Sequence, residues 1–224
     1  MTKRNLLIGT WLFFGLLALV AVGTQLVVHI QHNFSLINFF SYFTNLSNIF
    51  AAVVLIVGAV YLIQGRELTV TYDLVRGASV VAMAIVGIVF SILLTDTDLG
   101  TVLPWVNGVV HYIMPIVVVG EWLYEPPKSQ LHLRQLGYWL IYPLLYLIYT
   151  LIRGAIVGFY PYPFLNPAKA GGAGGVALYC IAIFVAFLVV GWLLILLGNR
   201  LGASARASER TSAAVRGGQS AQRD

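Results

Sequence analysis

Charge is missing from long stretches of this chain, and apolar residues fill them. From Asn5 to Gly65 there is no Lys, Arg, Asp or Glu, and Gly77 to Thr95 is again free of charge. Runs of this kind mark helices that cross a bilayer, whose hydrocarbon core of about 30 Å takes roughly 20 helical residues. The pattern predicts six such spans. Asn5 to Val28 forms the first; it is too long for the core of a signal peptide, about 7–15 residues, and has no small-residue cleavage site. A connector from His29 to Ser35 leads to a second span, about Ile37 to Gln64. Gly65 to Arg76 reads as a short charged loop, Gly77 to Thr95 as the third span, and Asp96 to Gly100 as a compact acidic turn. The fourth span, about Thr101 to Val119, holds Pro104, Asn107, His111 and Pro115. Glu121 to Gln130 contains Pro126 and Pro127 and reads as a loop or helix end, before a fifth span from Leu133 to Ile152 that Arg153 closes. Phe159 to Pro167 holds three prolines and cannot be regular helix, while its aromatics suit the membrane–water interface. Glycine-rich residues 171–175 introduce the sixth span, to about Leu197. From Asn199 the chain turns to Ala, Ser, Gly, Arg and Gln, a composition that cannot bury a core. The expectation is an all-α, polytopic six-helix bundle over residues 1–198 and a disordered tail over 199–224.

Composition agrees. Hydrophobic residues make up 59% of the 224 and charged residues 9%, against about 25% charged in soluble domains. No separate soluble domain has room. The positive-inside rule then orients the bundle. With the N-terminus cytoplasmic, eleven of the 13 Lys and Arg residues fall inside, leaving only Arg153 and Lys169 outside. Six spans put both termini on that same side. The expected location is the plasma (cytoplasmic) membrane, as a multi-pass protein. A net charge of +5 comes without any basic aromatic module, so nucleic acid is not an expected partner. The single cysteine, Cys180, can form no internal disulfide and no multi-cysteine metal site, and reads as packing.

One stretch contradicts the apolar pattern. Ser41-Tyr42-Phe43-Thr44-Asn45-Leu46-Ser47-Asn48 places five small hydroxyl or amide side chains in a span. At about 100° per residue Ser41, Thr44, Asn45 and Asn48 share one face and Ser47 lies off it. Hydrocarbon offers such a face no partner, so it points toward other helices or a wet cavity.

Candidate chemistry gathers there. Thr44, about seven residues into its span, and His111, about ten into its own, sit at compatible depths, roughly 10 and 15 Å at 1.5 Å per residue. Asn107 and His111 are i,i+4 neighbours, and Pro115 removes the donor for the His111 carbonyl, which predicts a kink or a water. A threonine hydroxyl attacks at neutral pH only when a base takes its proton, and imidazole is suited to that. Asn45, Asn48 or Asn107 would orient the ring or donate to an oxyanion. Equally, single hydroxyls and amides in spans serve as packing glue, and a lone histidine serves as a structural hydrogen-bonder, a relay or a haem ligand. His29 and His32 alone make a poor metal site. Tyr138, Tyr142, Tyr146, Tyr149 and Arg153 form a stripe along span five, and Arg153 is placed to hold a carboxylate. Asn33-Phe34-Ser35 and Asn45-Leu46-Ser47 match a glycosylation acceptor, the second too deep for modification.

Six spans, the Tyr42-Phe43-Thr44-Asn45 stretch and His111-Tyr112 resemble the androgen-induced and androgen-dependent multi-pass membrane protein family and its bacterial relatives over roughly residues 5–198. Animal members are threonine hydrolases that cleave fatty acid esters of hydroxy fatty acids with one intramembrane threonine and one intramembrane histidine. The resemblance implies that Thr44 and His111 carry those roles, that the substrate is a membrane lipid or fatty acyl ester, and that no cofactor or metal is needed. Two other classes fit the same residues. A small transporter or channel requires polar residues through to the cytoplasmic side, whereas spans two and four turn apolar after Asn48 and His111. A non-catalytic lipid-binding or scaffold protein requires the polar lining without the chemistry.

Overall fold

A computed structural model describes residues 2–95, 97 and 101–220, with side chains described as far as Ser204. The described residues form helices and no strands. Helix α1 is Lys3–Gln31, followed by short α2 (Leu36–Phe40), α3 (Phe43–Ile63) and α4 (Val70–Val89), the last extended by a π-helical turn, Phe90–Leu94. Next come α5 (Pro104–Gly108), a second π turn (Val109–Ile113) and α6 (Met114–Tyr124), which stack end to end. Helix α7 is Arg134–Val157, Pro163–Leu165 is a 3-10 turn, and α8 is Gly172–Ser220. Six helical segments are long and apolar enough to cross a bilayer, so the chain is built as a multi-pass membrane protein.

Helix α4 is the hub. It packs against α3, α6, α7 and α8, and its apolar window is the most buried of the six. Helix α1 lies along α3, where Gly15 presses its backbone against Ile56 and Ala52. Helix α7 sits at the rim and turns most of its surface outward. Gln25, buried in α1, donates to the Thr101 carbonyl at 3.2 Å and accepts from the Leu103 N–H at 3.1 Å, fixing the chain as it enters Pro104.

Arg153 does not close the fifth span, since α7 runs on to Val157 with Arg153 inside it. Three further boundaries differ from the sequence reading. The second span is broken at Ser41–Tyr42, so α3 starts at Phe43 and Thr44 is its second residue instead of lying two turns deep. The charged loop after span two is short: Thr69 caps α4 through the Tyr72 N–H at 3.1 Å, which puts Asp73 and Arg76 inside a membrane helix, both buried. The fourth span likewise runs on to Tyr124 and takes buried Glu121 with it. These charges stay in helix because they meet each other. Arg76 Nη1 lies 3.7 Å from Glu121 Oε2, Arg76 Nη2 donates to the Glu125 carbonyl, and the Lys128 N–H donates to Asp73 Oδ2 at 3.0 Å. Lys3 Nζ adds an ion pair to Glu125 at 2.7 Å. This end of the bundle, which carries the N-terminus, holds every one of these charges.

Helix α8 continues beyond Asn199 to Ser220 through a run rich in Ala and Arg, both good helix formers. Asn199 is itself tied down by paired bonds at 2.8 Å to the N–H and carbonyl of Leu131. The acidic turn expected at Asp96 to Gly100 lies, apart from Thr97, outside the described residues.

Candidate active site

The polar stretch of α3 meets the tyrosine stripe of α7. Ser41 Oγ and Tyr149 Oη are 2.9 Å apart, Tyr146 donates to the Ser41 carbonyl at 2.8 Å, and Ser47 Oγ bonds Tyr142 at 3.1 Å. Arg153 extends the series by donating to Asn38 Oδ1 at 2.7 Å, while Tyr138, at the other end of the stripe, is exposed. Long side chains make these links because the backbones of α3 and α7 are not close-packed. The inward face of α3 is Thr44, Ser47 and Asn48, all buried; Asn45 is turned aside and donates to the Phe39 carbonyl at 2.9 Å. Counting helical phase from Ser41 put Ser47 off that face, and the break before Phe43 is why the count fails.

Thr44 has a different partner. Its N–H donates to Tyr162 Oη at 3.2 Å, and its hydroxyl is 3.3 Å from the same oxygen. Tyr162 reaches it through a built turn. Helix α7 ends on Gly158, whose left-handed φ of 71° suits glycine and whose N–H caps Gly154 at 2.9 Å. Gly154 in turn leaves room for the Tyr160 ring: a Cβ there would lie 2.1 Å from it. The chain therefore folds back along α7, and the Tyr162 ring stacks on Phe164 at 5.2 Å. Burial pushes the Tyr162 phenol up to about 12, so at neutral pH it is a proton donor and no base. The Tyr162 oxygen accepts from the Thr44 N–H, and in its contact with Thr44 Oγ1 either hydroxyl is able to donate. Nothing local in this proline-rich loop announces Tyr162; only the fold brings it in.

Thr44, Tyr162 and Tyr146 line a cleft between α3, α4, α7 and α8. The rest of its wall is apolar apart from the Cys180 thiol, with Phe43, Phe90, Leu147 and Phe187 prominent. Pro143 lines it too, and frees the Trp139 carbonyl from its helical bond. Leu144 and Phe184 belong both to the cleft and to the lipid-facing surface.

His111 lies just behind this wall. Its ring stacks on Phe90 at 3.9 Å and 16°, and its Nδ1 donates to Asn107 Oδ1 at 2.7 Å, which leaves Nε2 with a free lone pair. His111 and Phe90 each sit in one of the two π turns, so both irregular turns converge here, a feature common at functional sites. The irregularity expected near Pro115 takes this form. Asn48, fully buried, donates to the Thr44 carbonyl at 2.9 Å and to the Val110 carbonyl at 3.1 Å, which sets Thr44 level with the residue before His111. Its own Oδ1 is without a partner. No hydrogen bond joins Thr44 to His111 among the described residues.

The remaining candidates are placed elsewhere. Arg153 does not line the cleft; its guanidinium lies 5.2 Å over the Phe159 ring, with Nη1 buried and unpartnered. His29 Nε2 bonds the Ser35 carbonyl and His32 Nδ1 the Val28 carbonyl, each at 2.8 Å, tying down the α1–α2 connector. The described residues contain no cluster of three or more His, Cys, Asp or Glu that would hold a metal. Comparison with protein-family models, curated proteins and solved structures gives no match to this chain.

Proposed function

We propose that the chain is an intramembrane lipid-ester hydrolase with Thr44 as nucleophile and His111 as base. The observation that carries this is a single aliphatic hydroxyl, Thr44, opening onto an apolar cleft whose wall residue Phe90 stacks on His111, the histidine whose free nitrogen is set by Asn107. The cleft takes the acyl chain and brings the ester carbonyl to Thr44. In the reactive arrangement the Phe90 ring moves from between imidazole and cleft. Thr44 Oγ then attacks the carbonyl carbon and its proton passes to His111 Nε2. Tyr162 donates to the oxyanion, and Asn48 positions the two reacting segments. The alcohol leaves with the proton from His111, and water, giving a proton to the same nitrogen, releases the fatty acid and restores Thr44. Arg153, through Nη1, is the candidate handle for a substrate that carries a free carboxylate. We place both termini on the cytoplasmic side of the plasma membrane, from the distribution of Lys and Arg.

A fluorophosphonate probe tests this directly. The purified protein should be labelled on Thr44, with labelling abolished in Thr44→Ala and lowered roughly a hundred- to ten-thousandfold in His111→Ala. A second reading, a non-catalytic lipid-binding protein, is favoured by the absence of a Thr44–His111 hydrogen bond. It requires wild-type protein that binds a fluorescent fatty acid in the cleft and takes no label.

A further inference from the structure

The cleft beside Thr44 is partly filled by the chain itself. Phe164 and Leu165, from the 3-10 turn between α7 and α8, line it and are only 8% and 3% exposed. They form a small apolar cluster with Phe90 and Leu94 of the first π turn, apart from the main core of the bundle, with Leu147, Cys180 and Ile183 packed around it. This cluster bears on both proposed reacting groups. Phe90 is the ring stacked on His111, and Tyr162, stacked on Phe164, is the hydroxyl at Thr44.

The segment between α7 and α8 divides into a root and a limb. The root is seated on its neighbours: Phe159 lies under the Arg153 guanidinium, the Tyr160 ring fills the space over Gly154, and Tyr162 bonds Thr44. The limb, Pro163 to Gly171, is bonded within the segment. The Asn166 N–H donates to the Pro163 carbonyl at 3.1 Å, those of Lys169 and Ala170 to the Asn166 carbonyl at 2.9 Å, and that of Gly172 to the Pro167 carbonyl at 2.8 Å. Among the described residues, the limb's hydrogen bonds all stay between Tyr162 and Gly172, so apolar contact through Phe164 and Leu165 is what holds it to the bundle. Its outer side, Ala168 and Lys169, is exposed. At its far end Gly171 and Gly172 have left-handed φ of 81° and 86°, which glycine adopts and leaves without steric cost, so the link to α8 is able to turn.

An occupant held by apolar contact is one that another apolar occupant replaces. An acyl chain in the same space restores the burial that Phe164 and Leu165 give up. It binds there only once they have left, and that difference in affinity is what lets a ligand shift such an equilibrium. We propose that Phe164 and Leu165 are an internal plug in the seat of the substrate's acyl chain. The chain, entering beside Leu144 and Phe184, displaces them; the limb swings outward on Gly171 and Gly172; and Phe90, no longer packed against them, leaves His111 open to Thr44. Tyr162 stays with the root as the oxyanion donor. The release of His111 rests on the roles proposed above for Thr44 and His111, whereas displacement of the plug by a fatty chain does not.

Limited chymotrypsin digestion of the unaltered full chain in phosphatidylcholine nanodiscs reads the limb directly, because cleavage after Phe164 follows the population of the swung-out form. Saturating hexadecanoate should raise that cleavage at least about tenfold. Unchanged or slower cleavage would overturn the plug. A second arm locks it. In a Cys180→Ala chain, Phe164→Cys and Tyr179→Cys place thiols where two rings now meet at 5.9 Å, and a short bifunctional thiosulfonate bridges them. The bridged protein should take up a pyrene-labelled hexadecanoic acid at least about tenfold more slowly than the same preparation after reduction. Capping the thiols singly with methyl methanethiosulfonate adds bulk without a tie and should leave uptake fast. Equal uptake by bridged and reduced protein would overturn the plug. Fluorophosphonate labelling of Thr44 in the two forms then separates this inference from the hydrolase reading. Labelling that is lost on bridging and returns on reduction supports both; gated uptake with no labelling in either form supports the plug and removes the hydrolase; labelling indifferent to the bridge overturns the plug alone.

Discussion

At the N-terminal end of the bundle Asp73, Arg76 and Glu121 bury ionisable side chains in α4 and α6, and several of their polar atoms are left without hydrogen bonds. At the opposite end Ser41, Thr44 and Ser47 of the α2–α3 region bury neutral hydroxyls, each bonded to a tyrosine. The first arrangement depends on charge balance: remove one member and its partner is an ion in a low-dielectric interior. The second is a set of exchangeable contacts, each of which is worth little alone. A bundle that has both is rigid where charges lock α4 to α6 and adjustable where a ligand cleft needs to open.

The sharpest way to break this contrast is Arg76→Met. It strands Glu121, and a loss of about 3–5 kcal/mol is expected in thermal or denaturant unfolding in a fixed detergent. Adding Glu121→Leu should recover most of it, since a buried pair replaced by apolar groups is often neutral. If the double variant is as unstable as the single one, charge balance is not what holds this end together. Ser47→Ala, by comparison, should cost only about 0.6–1.7 kcal/mol in the same assay.

Two substitutions sharpen the neutral end through activity. Asn48→Leu removes the link between the Thr44 and Val110 carbonyls, and should lower fluorophosphonate labelling about ten- to a hundredfold while Thr44 remains the labelled residue. Labelling at the wild-type rate would remove Asn48 from any positioning role. Arg153→Gln should weaken turnover of an ester that bears a free carboxylate by about tenfold or more, the scale of one charge-assisted bond, and leave its methyl ester unchanged. Equal loss on both esters would make Arg153 an interfacial anchor through Asn38 and Phe159.

How much of this was legible in the sequence follows from what each signal measures. Six spans were readable because charge-free runs are long and lipid leaves the backbone no alternative to helix. The same rule misplaced Asp73, Arg76 and Glu121 in loops, because it treats any charge as an ending. Spacing carried the missing signal: Asp73 and Arg76 are i,i+3 neighbours and Glu121 and Glu125 i,i+4 neighbours, the pattern of one helix face. The tyrosine stripe was visible on α7, yet only the fold pairs it with α3. Tyr162 was not readable at all, since its place depends on Gly154 and Gly158 turning the chain back over α7.

The smallest expected effect concerns that tyrosine. Its folded pKa, about 12, is raised above the ordinary value near 10 by burial. The stability it contributes is therefore fully present below pH 10 and lost between about pH 10 and 12, as the unfolded chain ionises first. Phenolate absorbance during alkaline titration should lose one tyrosine's worth of late-ionising amplitude in Tyr162→Phe. An unchanged late amplitude in that variant would assign the step elsewhere.

The lateral position of the Thr44 cleft, with Leu144 and Phe184 shared between its wall and the lipid-facing surface, has a kinetic meaning. A molecule that enters there arrives by diffusion in two dimensions and never crosses bulk water. Occupancy then follows the mole fraction of that molecule among the surrounding lipids, so adding inert lipid at constant total concentration dilutes it and empties the cleft.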